Sequence, residues 1–148
     1  MKRLYLPQVL WHKWFVLLAG LRVKGIPFWR LVVHDWTKFL PVEYGVYRRK
    51  CTGGRYFKDE WEKAKWHHYL SNPHHYQYWI KDGVPDPMPD VFVREMVADW
   101  MAAGRSYEGS WEIQGWLAEN YKKFNLHPST LERLKVILSS QGLAWPEG

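Results

Sequence analysis

The chain has 148 residues, enough for one domain with a real core and short for two. Lys and Arg number 21 against 15 Asp and Glu, a formal net charge of +6 that favours anionic partners such as nucleotides, nucleic acid or an acidic protein surface without choosing among them. The single cysteine, Cys51, excludes an internal disulfide and argues against a disulfide-stapled secreted scaffold, so a reducing, cytoplasmic setting is expected.

The N-terminal stretch "MKRLYLPQVLWHKWFVLLAGLRVKG" has the outline of a signal peptide, but His12 and Lys13 interrupt it and the clean run "WFVLLAGL" is only eight residues long. Neither a cleavable signal nor a membrane span is expected, and no membrane partner. A first helix reads from about Pro7 to Val23, stopped by Lys24-Gly25 and the Ile26-Pro27 break. A second runs from Phe28 to Trp36 or a little beyond, with His34-Asp35 near its end. Pro41 suits the first turn of a third helix through "VEYGVYRRK", and "CTGG" follows as a loop. Phe57 to Tyr69 is the next helix; "SNP" interrupts it, and Pro73 is placed to start another at "HHYQYW". After the turn-rich "KDGVPDPMPD" come helices from about Val91 to Ala103, Ser110 to Phe124 and Ser129 to Ser140, the last opening on "STLE", a capping box of Ser129 and Glu132. No period-two strand pattern is found. The expectation is a single, compact all-α domain spanning 1–148.

The ionisable residues fall on inward faces. Phe57, Trp61, Ala64 and His68 are spaced by four, three and four, one stripe on a helix, so His68 points inward while His67 shares the solvated face with Glu60 and Lys63. In Val91 to Ala103 the inward stripe holds Phe92, Met96, Asp99 and Ala103, with Glu95 one turn before Asp99. A buried carboxylate needs a partner, a proton or a metal. His12 sits between Trp11 and Phe15, and "LVVHDW" places at least one of His34 and Asp35 inside. Each item alone has a plainer reading: a hydrogen-bonded His-Asp core pair, surface histidines in "HHYLSNPHH", an Asp99 paired with Arg94 or Arg105, a solvated Lys38, and a His127 that packs at a helix end. Their joint order on separate helices is what those readings do not anticipate.

That order, His12, then His34-Asp35 with Lys38, then His68 and His74-His75, then Asp99, resembles the HD superfamily of metal-dependent phosphohydrolases, and "HDWTKF" is similar to its His-Asp-apolar-Gly-Lys signature, with Thr37 in the glycine's place. More closely, "HDWTKF", "NPHHYQYW", "MPDVFVREMVADW" and "LHPST" resemble a family of small uncharacterised His/Asp-rich phage and bacterial proteins, over about residues 10 to 135; a phage origin would put the chain in the host cytoplasm. The HD resemblance implies an HD-like helical bundle with a metal centre between helices. His12, His34, Asp35 and Asp99 would hold one ion, Asp35 bridging to a second held by His68 and one or both of His74 and His75. It also implies that Lys38 assists with a substrate phosphate.

Mixed imidazole and carboxylate ligands suit one or two divalent ions of Mn, Fe, Co, Ni or Zn. Lys38, four residues after His34, would reach over them on a continuing helical turn, with Arg30 or Arg22 as further cations for the phosphate. Glu95 is a candidate base or ligand orienter. The expected activity is hydrolysis of a nucleotide or other small phosphate ester. The alternatives are an HD-type diiron oxygenase, a nucleic-acid-binding module with aromatic stacking platforms, and a non-catalytic protein-binding factor. The oligomeric state is left open.

Overall fold

The computed structural model describes residues 5–146 and is mostly helical. Seven α-helices occur among the described residues: α1 (Tyr5–Val23), α2 (Phe28–Val33), α3 (Pro41–Thr52), α4 (Lys58–Ser71), α5 (Asp90–Glu108), α6 (Gln114–Asn120) and α7 (Pro128–Ser140). The two 19-residue helices, α1 and α5, pack along each other and form the axis of the fold. Around it, α7 lies on α5, α2 folds back on α1, and α3 and α4 pair with each other.

The larger apolar core lies on one side of α5, where Val93, Met96, Val97 and Met101 meet Leu134, Ile137 and Leu138 of α7 and Leu117 of α6. These are ordinary 3.6-period faces, and burial of each large side chain stabilises the fold by about 1.5–3 kcal/mol. A smaller core of Val16, Leu31 and Ala102 ties α2 to the α1–α5 pair. Gly20 makes that contact possible, since a Cβ there would fall on the Leu31 methyls. Between α1, α4, α5 and the end of α2 the interior is filled by His and Asp side chains instead.

Several local expectations are corrected. The second helix ends at Val33, not Trp36, because Asp35 adopts the left-handed conformation (φ 54°); the chain continues as a 3₁₀ turn, Trp36–Phe39. Lys13, read as a break in an apolar run, donates to the carbonyls of Val32 (2.9 Å) and His34 (2.5 Å) and so satisfies the free end of α2. No helix starts at "HHYQYW": His74 and His75 lie in a turn, with a 3₁₀ segment, Tyr76–Trp79, after them. Two short strands that the periodicity did not reveal, β1 (Ile80–Lys81) and β2 (Val84–Pro85), pair antiparallel around Asp82-Gly83, both at positive φ. Asp-Gly is the strongest two-residue hairpin signal, but the flanking strands are too short to alternate visibly. Helix α6 is shorter than its expected span and ends in a 3₁₀ turn, Tyr121–Lys123. The Ser129–Glu132 box does not form: α7 starts at Pro128, the His127 Nδ1 accepts from the Ser129 N–H at 3.2 Å, and Glu132 pairs with Lys135. His127 is thus a cap rather than packing.

No helix among the described residues is long and apolar enough to cross a membrane.

Candidate metal centre

Adjacent residues on an α-helix point about 100° apart, so a helix cannot aim both members of His34-Asp35, or of His74-His75, at one spot. Both pairs sit where the helix is broken. The left-handed backbone at Asp35 turns its carboxylate back beneath α2 alongside the His34 ring, a conformation that Asp tolerates better than most residues. The turn at Pro73 does the same for the second pair: His74 is buried, His75 is partly buried, and their rings lie 4.2 Å apart.

Asp35, 1% exposed, is the centre of the arrangement. Its Oδ2 faces the Nε2 atoms of His34 (3.6 Å) and His12 (3.7 Å), and both of these rings meet Asp99 Oδ1, at 3.3 and 2.9 Å. Its Oδ1 faces the Nε2 atoms of His74 (3.2 Å) and His68 (3.4 Å), and the His68 Nε2 lies 2.9 Å from the His75 Nε2. Two donors each about 2.1 Å from one ion stand roughly 3.0–3.4 Å apart, so these spacings are those of ligands to a shared ion. The four groups His12, His34, Asp35 and Asp99 could hold one metal ion, and Asp35, His68, His74 and His75 another, with Asp35 common to both. All seven expected ligands come together here. The chemistry of the donor set fits as well: the Nε2 atoms of His12, His34 and His74 and Oδ1 of Asp35 are fully buried without a hydrogen-bond partner, a costly state for polar atoms that face one another.

The outer nitrogens are fixed by carboxylates. Glu95, buried on α5, accepts from His34 Nδ1 (3.1 Å) and lies 3.4 Å from His74 Nδ1, while Arg30 holds its other oxygen at 2.8 Å. Glu95 therefore orients two rings rather than standing free as a base, and Arg30 is engaged with it instead of with a phosphate. Arg22 is exposed on the outer side of α1, away from the centre. Glu43, not singled out from the sequence, is fully buried and does for His68 (3.0 Å) what Glu95 does for His34. Its second oxygen takes His67 Nδ1 at 2.6 Å, so His67 is partly buried and hydrogen-bonded rather than solvated. Thr37, in the glycine position of the HD signature, is buried with its hydroxyl accepting from Asn72 Nδ2 (2.9 Å) and 3.3 Å from His68 Nδ1. Asn72 also donates to the His68 carbonyl at 2.7 Å and closes α4.

Charge is balanced within the cluster. Burial opposes ionisation of His34, but Asp35, Asp99 and Glu95 outweigh it and raise the imidazole to about 10. Burial likewise works against Asp35 and Asp99, yet the surrounding histidines, with Lys38 at Asp35, hold both well below the usual carboxylate range. His12 and His75 are pushed down by burial and stay neutral, ready to donate a lone pair. Lys38 sits not on a continuing α-helical turn but on the 3₁₀ turn, its N–H on the Asp35 carbonyl (3.0 Å) and its ammonium 2.5 Å from Asp35 Oδ2. Asp35 raises its pKa against the effect of burial, so it remains a cation.

Two clefts reach the cluster. One of about 290 Å³ is lined by His12 and Lys38 at its floor and by Tyr47, Lys50, Cys51 and Trp61 among its walls. A smaller one, about 170 Å³, leads in past Trp29 and Trp36 to His34, His74 and Glu95.

No curated protein and no solved structure shows significant similarity to the sequence. DUF5662, a family of unknown function, matches residues 1–140, nearly the whole sequence, and the chain belongs to that family.

Proposed function

We propose that this chain is an HD-like, metal-dependent phosphohydrolase acting on a nucleotide or another small phosphate ester. The observation that carries the reading is the pair of four-ligand groups sharing the Asp35 carboxylate, with buried and otherwise unpartnered donor atoms converging on both. His12, His34, Asp35 and Asp99 would hold one divalent transition-metal ion, and Asp35, His68, His74 and His75 the other. When bound, such ions supply Lewis acidity toward a phosphoryl oxygen and a source of hydroxide near neutral pH.

The chain's own residues would do the rest. Glu95 and Glu43 keep the rings of His34, His74 and His68 aimed inward by accepting from their outer nitrogens. Lys38, on the floor of the larger cleft, places a permanent positive charge beside the site where phosphoryl oxygens would gather, and Lys50 adds a second cation at the wall. Tyr47 and Trp61, whose ring centroids are 5.0 Å apart, offer the cleft an aromatic side against which a nucleobase could stack.

The test is elemental analysis of protein purified without an affinity tag, followed by a phosphate-release screen over nucleotides with Mn, Co, Ni or Fe supplied in turn. One or two ions per chain and metal-dependent release are expected. Lys38→Met, which keeps the aliphatic stem, should retain its metal and lose about a hundredfold or more in turnover. Under about a tenth of an ion per chain after reconstitution would sink the reading, since structural or catalytic sites of this kind load stoichiometrically. The second group's three imidazoles and one carboxylate also suit iron. Bound iron with oxygen consumption and no phosphate release would assign the centre to an oxygenase.

A further inference from the structure

Helix α1 is apolar on both sides. Its inner face is buried by Val9, Val16 and Val23, as the fold requires, but its outer face carries Leu10, Trp14 and Leu21 at the spacing of a second hydrophobic stripe. A helix hydrophobic all round belongs in a buried setting, and this one has an open side. Helix α2 extends it. Leu31 seats α2 on Gly20 of α1, so the two outer faces adjoin, and Phe28, Trp29 and Val32 are each more than half exposed. Of the twenty large apolar side chains exposed among the described residues, twelve lie between Leu6 and Phe39. At roughly 150–250 Å² per aromatic side chain, and less for an aliphatic one, their exposed parts sum to on the order of 1,000 Å². The largest patch on an ordinary monomer is about 300–600 Å².

Charge indicates what covers it. Residues 1–34 contain six Lys or Arg and no Asp or Glu; the remaining 114 contain fifteen of each. The whole formal net charge of +6 therefore belongs to the segment that carries the apolar face; within it Arg30 is paired with Glu95 and Lys13 is held by the end of α2. Arg22 and Lys24 are exposed beside it. A second copy on this face would bring two basic segments together, whereas an anionic surface would neutralise them. Tryptophan is the residue that favours a boundary between water and hydrocarbon, and three of the most exposed side chains here are Trp11, Trp29 and Trp36.

We propose that the outer faces of α1 and α2 dock on an anionic lipid bilayer and lie in its interfacial layer without crossing it. The sequence led to no membrane partner because it offers no span, but a helix that lies on a bilayer needs only an apolar face and flanking cations. The smaller cleft opens between Trp29, Val33 and Trp36, so the docked face is also one through which the ligand cluster is reached. The docking rests on surface composition alone and stands whether or not the cluster is catalytic.

The test is cosedimentation of the full chain with vesicles of phosphatidylcholine alone and of phosphatidylcholine containing about one third phosphatidylglycerol, with tryptophan emission read in parallel. Binding and a blue shift are expected only with the anionic vesicles, weakening as salt is raised. Trp14→Glu combined with Leu21→Glu should abolish binding. Arg22→Glu combined with Lys24→Glu, which leaves the apolar face intact and guards against a misfolded first variant, should weaken it about tenfold or more. Val136→Glu, on the exposed side of α7, should bind like the wild type. Binding to neither vesicle would overturn the proposal. So would a wild-type dimer in light scattering that Trp14→Glu splits into monomers without vesicle binding, which would assign the face to a second copy.

Discussion

Glu95 and Glu43 hold different imidazoles, and that difference makes a sharp prediction about the two ligand groups. Glu95 meets His34, in the first group, and His74, in the second; Glu43 meets His68, in the second, and His67, which belongs to neither. Replacing either by Gln keeps the shape and one acceptor oxygen but removes the charge that raises ligand basicity and the second oxygen that orients the ring. Loss of such a partner costs about 10- to 100-fold in metal affinity, or roughly 1.4–2.7 kcal/mol. Glu95→Gln should therefore weaken both ions by this factor. Glu43→Gln should weaken only the ion held by His68, His74 and His75 and leave the other within about twofold.

Calorimetric titration of metal-free protein with Mn or Co, followed by chelator competition, separates the two sites. Circular dichroism of each variant is needed alongside it, since Glu95→Gln also leaves the Arg30 guanidinium, 2.8 Å from the lost charge, without its anion. A double variant with His68→Ala provides the internal control: the effect of Glu43→Gln on the second ion should vanish once His68 is gone, because the carboxylate acts through that ring. If Glu43→Gln weakened both ions equally, or if its effect persisted without His68, the division into two groups that share only Asp35 would be wrong.

His68→Ala should strip metal from the second group while His67→Ala, whose ring meets Glu43 but no metal-group atom, should change occupancy by less than its neighbour does; atomic absorption after dialysis reads both. With His34 raised to about 10, its ring carries both protons at pH 7 in the metal-free protein, and ligation through Nε2 must release one. Affinity of the first ion should therefore rise by up to about tenfold per pH unit from 7 toward 9, with a binding heat that depends on the buffer's ionisation enthalpy. Gly20→Ala should lower unfolding stability by about 1–3 kcal/mol, since its methyl meets Leu31 in a packed contact, while leaving metal content unchanged; denaturant melts measure the first.

How much of this was legible depends on whether a residue obeys the period of a helix. His68 does, and it is buried with Ala64 of its stripe, although Phe57 at the head of that stripe is exposed; in the stripe of Asp99 only Met96 is fully buried, and Asp99 itself lies at the edge of the interior. His12 obeys it too, on the face of α1 that carries Val9 and Val16. The paired residues do not, because His34-Asp35 and His74-His75 point inward together only where the helix has ended, and a helical reading of those stretches misplaces the boundary for that same reason. Asp35 gives no local warning, since a left-handed Asp has no strong sequence signature away from a turn dipeptide. Glu43 was missed for another cause: a lone acid in a helix's first turn is ordinary, and only its partners across the fold, His67 and His68, show that it is inside.

These cases bear on what the interior of this fold is for. A cavity filled by apolar side chains would have been simpler to build at the same place, and burying ionisable groups carries a desolvation penalty that well-packed hydrophobic residues avoid. Here four helices and two broken helix ends bring five imidazoles and four carboxylates together, with the inner nitrogens of three rings lacking a hydrogen-bond partner and the outer nitrogens of His34 and His68 held by Glu95 and Glu43. A merely structural network would satisfy its inner atoms first, because each orphan there costs about 1–3 kcal/mol. Around His34 and His74 the pattern is the reverse, anchored outside and open within, which is the arrangement expected of ligands aimed at a common ion rather than of a polar core that stabilises itself.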